Sequence, residues 1–62
     1  MPIVEISLVE GRDAATLRRL ISNVTQAVAT SVDTPLENVR VIVREVARTH
    51  WAAGDVTIQE RE

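Results

Sequence analysis

The sequence contains no cysteine and no lysine, and its only aromatic residue is Trp51. The absence of cysteine excludes disulfide cross-links, and a single histidine, His50, leaves no ligand set typical of a structural zinc ion. A monomer of 62 residues buries only about 60% of its unfolded surface, so its own core is marginal. With neither disulfides nor a metal to add stability, we expect oligomerisation to complete the core.

The chain also lacks a long apolar run and a basic tract. A membrane helix needs about 20 consecutive apolar residues, and no charged leader precedes an apolar segment with a cleavage site. Seven basic residues against nine acidic ones give a formal charge of -2. We therefore expect a cytoplasmic protein with neither a membrane nor a nucleic acid as partner. A small dimer that reads DNA with a β-ribbon is a rival, but it normally has a basic recognition face.

The apolar pattern predicts a strand, a long helix and a second strand. Alternation over Ile3–Val9 predicts strand one, and helical spacing predicts a helix from Ala14 to Val32, with Asp13 as its N-cap. The stretch from Thr34 to Glu37 has the form of a capping box and predicts one short turn. Alternation then predicts strand two over 39–46.

These elements indicate an α/β fold, a single βαβ subunit over residues 1–62 as one domain. Its two strands are expected to be parallel with a right-handed crossover, and one long helix covers one sheet face. The other face keeps an apolar remainder, so we expect the sheet to be completed by oligomerisation; these residues are Ile3, Val9, Ile42 and Val46. A short C-terminal β segment, Val56–Ile58, is expected to pair with another subunit.

Few residues are suited to chemistry. The sequence has no metal cluster, no glycine-flanked serine and no glycine-rich phosphate loop, so we expect no metal or cofactor. Pro2 becomes an N-terminal secondary amine if Met1 is removed, although it could simply start the strand. Arg12, before the helix, could bind an anion or pair with a neighbouring acid.

Three more residues have two readings each. Arg40 could bind an anion or be a solvated sheet arginine, and Arg44 could serve in its place less readily. Trp51 could be a packing anchor or the wall of a site. Within one subunit Pro2 and Arg12 should lie roughly 25 to 30 Å apart, at about 3.3 Å per strand residue. If two copies pair antiparallel along strand one, Pro2 of one copy faces Arg12 of the other.

Five segments together resemble the 4-oxalocrotonate tautomerase family, and the match covers nearly the whole chain. They are Pro2-Ile3, Val9-Glu10-Gly11-Arg12, Asp33-Thr34-Pro35-Leu36, Val39-Arg40-Val41-Ile42 and His50-Trp51. The resemblance implies an isomerase that moves a proton between the enol and keto forms of a small unsaturated 2-hydroxy or 2-oxo acid, such as 2-hydroxymuconate. It also implies a homohexamer arranged as a trimer of dimers.

The resemblance further implies a role for each site residue. Pro2 would be the general base and acid, Arg40 would hold one carboxylate with the adjacent oxygen, and Arg12 would hold the far carboxylate. Both arginines would come from neighbouring subunits. Trp51 would stand where the family usually has phenylalanine, and the Val9 backbone would orient the enol oxygen.

Two departures leave alternatives open. Trp51 in place of phenylalanine puts the pocket size and the substrate in doubt, and a decarboxylase or dehalogenase of a related acid could use the same amine and arginines. Ala52 and Ala53 stand where related dehalogenases carry a water-activating carboxylate, which favours simple isomerisation. Retained Met1 would make the Pro2 nitrogen an amide without basicity, and the chain would then be a non-catalytic subunit of a mixed hexamer.

Overall fold

The structure is a computed structural model that describes residues 1–62. Two seven-residue strands, β1 (Ile3–Val9) and β2 (Arg40–Val46), flank the helix α1 (Ala14–Val32). A two-residue hairpin and one helical turn follow, namely β3 (Ala52–Ala53), β4 (Val56–Thr57) and α2 (Ile58–Arg61). Short 3-10 turns occupy Leu36–Asn38 and Arg48–His50.

The two long strands pair in parallel, with Ile3 opposite Arg40 and Val9 opposite Val46. Alternation places Val4, Ile6 and Leu8 of β1 on the face that α1 covers, with Val41 and Val43 of β2. This arrangement confirms the predicted βαβ fold with parallel strands and one long helix.

Helix α1 begins and ends where the sequence predicts. The Asp13 carboxylate accepts a hydrogen bond from the Thr16 N–H at 2.8 Å, and Asp33 ends the helix in the left-handed conformation. Val32, the last residue of the helix, is apolar but exposed. The helix is about 28 Å long whereas each strand spans about 23 Å, so its last turn extends beyond the sheet. Ala29 is buried instead, because the chain folds back and the Thr34 N–H donates to its carbonyl.

Two local predictions are wrong. The Thr34 side chain caps no helix, because the 3-10 turn has Pro35 at its N-cap without a side-chain hydrogen bond. Ile58 is the first residue of α2 rather than part of a strand, since Thr57 and Glu60 form a capping box. The strand β4 pairs with β3 of its own chain, because Gly54 and Asp55 both have positive φ and suit a two-residue hairpin turn; pairing with another subunit stays a prediction.

The chain does not enclose a core of its own. Only Ala29 and Val39 are buried, and the exposed surface is 4601 Å² where about 4,000 Å² is usual for this mass. The radius of gyration is 14.6 Å against about 11 Å for a compact chain of this length. On the sheet face away from α1, Ile3 and Ile42 are 63% and 41% exposed. That face, the outer face, is uncovered in the single chain.

Candidate active site

Pro2 lies immediately before β1 and is half-buried. Its carbonyl accepts a hydrogen bond from the Arg40 N–H at 3.0 Å, so the backbone of Pro2 is fixed to the start of β2. Proline has no backbone N–H to leave unsatisfied, which suits this position. Met1 is 78% exposed and forms an amide with the Pro2 nitrogen, so the chain with Met1 has no amine at this place.

Arg40 is the first residue of β2 and opposes Ile3 on the outer face. One guanidinium nitrogen, Nη1, donates to the Glu37 carbonyl at 2.7 Å. No carboxylate lies within ion-pair distance of Arg40, whose side chain is exposed. A carbonyl carries no net charge, so this contact orients the guanidinium and leaves its positive charge and its other N–H groups available for an anion.

Arg12 is held in the same manner at the opposite end of the sheet. Its Nη1 donates to the Val9 carbonyl at 2.9 Å, and it forms no ion pair with Glu10 or Asp13. The Asp13 carboxylate is engaged with Thr16 instead, and these hydrogen bonds lower the pKa of Asp13. The structure therefore gives Arg12 an oriented and unneutralised guanidinium.

Arg44, the less favoured alternative, has a different environment. Its Nη2 lies 3.3 Å from the Glu5 carboxylate across the outer face. Glu5 thus neutralises Arg44, whereas Arg12 and Arg40 contact only carbonyl oxygens. Arg48 is likewise paired, with Glu62.

The Val9 backbone lies beside Arg12 at the free edge of β1. The Glu10 N–H donates to the Val46 carbonyl at 2.9 Å and so points toward β2. Because successive N–H groups point to alternate sides of a strand, the Val9 N–H is directed to the free edge. A donor and the Arg12 guanidinium therefore lie close together at one edge of the sheet.

Trp51 is half-buried and follows the 3-10 turn after β2. Its carbonyl accepts a hydrogen bond from the Ile58 N–H at 2.9 Å. Since β1 and β2 are parallel, the ends of both strands meet at one end of the sheet. Trp51 therefore follows the same end of the sheet as Arg12 and Val9.

One chain does not bring the five predicted site residues together. Pro2 and Arg40 lie where the strands begin, whereas Val9, Arg12 and Trp51 lie at or beyond the strand ends, about 23 Å away. A shallow groove of ≈ 290 Å³ between α1 and Leu36 contains none of them. The structure assembles no group of three or more His, Asp or Glu side chains able to hold a metal.

Sequence reasoning missed the Glu37 carbonyl and the residues that fix the backbone around Trp51. Glu37 precedes Arg40 by three positions, a spacing that brings residues together in a helical turn, and this was the available signal. For the Trp51 region, the signal was the Thr57-x-x-Glu60 pattern of a capping box.

Comparison with known proteins agrees with the fold. The family model described as "Tautomerase enzyme" matches residues 2–61. A 2-hydroxymuconate tautomerase from Pseudomonas putida is 43% identical over 54 residues, covering 87% of this chain and 86% of the relative. A probable tautomerase from Ralstonia nicotianae is 39% identical over 56 residues, covering 90% of this chain and 80% of the relative.

Solved structures give the same result. A heterohexameric 4-oxalocrotonate tautomerase from Chloroflexus aurantiacus superposes with a TM-score of 0.94 at 34% identity, covering 100% of both chains. A 4-oxalocrotonate tautomerase isozyme from Methylibium petroleiphilum gives a TM-score of 0.93 at 28% identity, covering 97% of this chain and 94% of the other. The chain therefore belongs to the 4-oxalocrotonate tautomerase family and is a tautomerase-type isomerase.

Proposed function

We propose that the chain catalyses enol-keto proton transfer on a small unsaturated 2-hydroxy or 2-oxo acid such as 2-hydroxymuconate, in an oligomer of one tautomerase domain spanning residues 1–62. Pro2, freed by removal of Met1, is the general base and then the general acid. The observation that carries the proposal is the pair of oriented arginines, Arg12 and Arg40, whose guanidinium groups contact only carbonyl oxygens.

The proton transfer follows from the N-terminal amine. A base must be unprotonated at the working pH, and nearby arginine charges together with an apolar pocket disfavour the protonated amine. Neutral Pro2 takes the proton from the enol hydroxyl and returns one to carbon, so the substrate gains and loses one proton and no bond between heavy atoms breaks. The exposure of Met1 supports access of a processing enzyme to it.

The arginines bind the acid and stabilise the charge that develops. Arg40 binds one carboxylate and the adjacent oxygen, because a planar guanidinium forms two parallel hydrogen bonds. Arg12 binds the far carboxylate, and the Val9 N–H donates to the enol oxygen. Negative charge spread over the dienolate-like transition state is stabilised by these donors, and Trp51 excludes water, which strengthens the charge interactions.

The site needs neighbouring chains, because one chain separates Pro2 from Arg12. Alternation directs the N–H and C=O groups of Glu5 and Ser7 to the free edge of β1, available to an antiparallel second copy, whereas the Val9 carbonyl already accepts from Arg12. The register centred on Ile6, the middle residue of β1, places Glu5 opposite Ser7. A shift by two residues would place Glu5 opposite Glu5, and like charges in that position are destabilising. In the favoured register Pro2 opposes Glu10 of the other copy, close to its Arg12.

The uncovered outer face supports a larger assembly. Ile3 and Ile42 remain exposed on it, and pairing along β1 does not cover this face. We propose a homohexamer built as a trimer of dimers, with Arg12 and Arg40 contributed by neighbouring chains. The Chloroflexus relative is a heterohexamer, which supports an assembly of six chains.

The test compares protein with and without Met1, two samples that differ at one residue. We expect the Met1-free protein to ketonise 2-hydroxymuconate or an arylpyruvate enol, followed by ultraviolet absorbance, and the protein that retains Met1 to fall to the buffer rate. Pro2→Ala should lower kcat at least about 100-fold, as expected for loss of a positioned acid-base group. Arg19→Ala is the matched control, because Arg19 forms no hydrogen bond or ion pair.

Absence of ketonisation by the Met1-free protein with both substrate classes would exclude the proposed activity. The second candidate, decarboxylation or dehalogenation of a related acid, uses the same amine and arginines. Release of carbon dioxide or halide would identify it by product analysis. Retention of Met1 in protein isolated from its native host would instead favour a non-catalytic subunit of a mixed hexamer.

A further inference from the structure

Residues 48–62 form a small unit, the C-terminal arm, which surrounds Trp51. The arm consists of the 3-10 turn at Arg48–His50, the hairpin of β3 and β4, and the helical turn α2. Gly54 and Asp55 form the hairpin turn with φ of 60° and 68°. Most tertiary contacts of α2 lie within the arm, with the 3-10 turn and β4.

The backbone of Trp51 is attached to the start of α2. The Ile58 N–H donates to the Trp51 carbonyl at 2.9 Å, which continues the hairpin beyond the Ala52–Thr57 pair to the first residue of α2. Thr57 and Glu60 close the N-terminal end of α2 with reciprocal hydrogen bonds of 3.1 Å and 2.8 Å. A capping box of this type stabilises the first turn of a helix.

The end of α2 returns to the chain on both sides of Trp51. Arg61 Nη2 donates to the Ala53 carbonyl at 2.9 Å, two residues after the tryptophan. Glu62 pairs with Arg48, three residues before it. Three contacts therefore hold the segment that carries Trp51: one lies three residues before the tryptophan, one is at its own carbonyl, and one lies two residues after it. Each contact involves one of the last five residues.

We propose that Arg61 and Glu62 are positioning residues that hold Trp51 as a fixed wall of the substrate site and thereby set its specificity. The role of Trp51 as a wall of the substrate site rests on the proposed function. Its attachment to the C-terminal arm rests on the hydrogen bonds of the arm. Each contact is solvent-exposed and weak alone. Their effect is on local order, because loss of one releases an end of a short closed segment.

Trp51 is the only aromatic residue of the chain, so its intrinsic fluorescence reports on one position without substrate. In Met1-free protein, Arg61→Ala should raise the acrylamide quenching constant of Trp51 about twofold and lower its anisotropy, as expected for a locally opened segment. Arg61→Lys, which keeps a donor to the Ala53 carbonyl, should restore most of the wild-type value. Glu62→Gln tests the second contact, and Arg19→Ala is the control for loss of an exposed arginine.

The kinetic measurement separates positioning from a structural effect. With an assembled variant, the KM for 2-hydroxymuconate should rise about threefold to tenfold, because the wall of the site is loosened, while the pH dependence of kcat, which Pro2 sets, stays unchanged. An unchanged quenching constant in both Arg61→Ala and Glu62→Gln would overturn the proposal that these residues hold Trp51 in place. Increased quenching with an unchanged KM would overturn the wall role. If the wild-type protein has no tautomerase activity, the fluorescence result alone still shows whether Arg61 and Glu62 hold Trp51 in place.

Discussion

Arg12 and Arg40 share one arrangement, in which a single N–H of the guanidinium donates to a backbone carbonyl three residues earlier. The anchor fixes the direction of a long side chain that would otherwise lose rotamer entropy on binding a ligand. Arg44 has a carboxylate partner, Glu5, and would have to break that contact before binding an anion. The hydrogen-bond partners therefore distinguish Arg12 and Arg40 from Arg44 as candidate anion-binding residues. Position in the sequence alone did not distinguish them.

Removal of each arginine should affect different substrates. Arg40→Ala should lower kcat/KM about 10- to 100-fold for every acid, since a charge-assisted hydrogen bond contributes about 1.5–3 kcal/mol. Arg12→Ala should do so for 2-hydroxymuconate, which has two carboxylates, but not for an arylpyruvate enol, which has one. Arg19→Ala is the control in steady-state kinetics with both acids. Equal losses on both acids in Arg12→Ala would contradict the assignment of the far carboxylate to Arg12.

Helix α1 was predictable in full, because the apolar period, the Asp13 cap and the break before Pro35 all agree. Strand β2 begins at Arg40, one residue later than predicted, since Val39 ends the preceding 3-10 turn. The C-terminal β segment was only partly predictable. Alternation over three residues is a weak signal, and the capping tendency of Thr57 and Glu60 outweighs the strand preference of Ile58.

The Asp13 cap gives a stability effect that depends on pH. Hydrogen bonds from Thr16 lower the pKa of Asp13 in the folded chain, so the cap contributes fully above the unfolded pKa of about 3.9 and is lost as the pH falls through the folded pKa. Asp13→Ala should lower Tm by roughly 5 °C at pH 7. The difference from wild type should shrink as the pH falls below about 4.

Asp13→Asn is the matched variant, because an amide oxygen caps a helix without titrating in this range. Thermal unfolding by circular dichroism at fixed protein concentration measures all three proteins. A Tm difference between wild type and Asp13→Ala that stays constant down to pH 2 would show that the charged carboxylate is not the source of the stabilisation.

The free edge of β1 makes a separate prediction for strand pairing. The Ser7 N–H points away from β2, by the same alternation that directs the Glu10 N–H to Val46. Ser7→Pro removes this donor and leaves the ladder between β1 and β2 intact, since proline is tolerated where a strand N–H faces outward. We expect assembly to be lost, as measured by sedimentation, while Ser7→Ala, which keeps the N–H, assembles as wild type. A fully assembled Ser7→Pro protein would exclude pairing through this edge.

The site could not be derived from one chain, because a single chain keeps the predicted site residues apart. Composition predicted oligomerisation, and strand length predicted the separation of Pro2 from Arg12, so the need for a shared site followed from the sequence. The particular set of residues came from family resemblance, because spacing along one chain does not reveal which surfaces of two copies meet. The burial of only two residues now makes the dependence on other chains a structural observation.

The charged residues on the outer face should affect the stability of the whole assembly. Glu5 and Arg44 pair on this face beside exposed Ile3 and Ile42, so burying the face among copies also buries the pair. Removing one partner of a buried pair leaves a charge that costs several kcal/mol. Glu5→Gln should therefore raise the concentration for half-assembly at least about tenfold, and the exchange Glu5→Arg with Arg44→Glu should restore most of the loss. Sedimentation over a dilution series measures the concentration for half-assembly. An unchanged value in Glu5→Gln would mean that the pair of Glu5 and Arg44 remains exposed to solvent in the assembly.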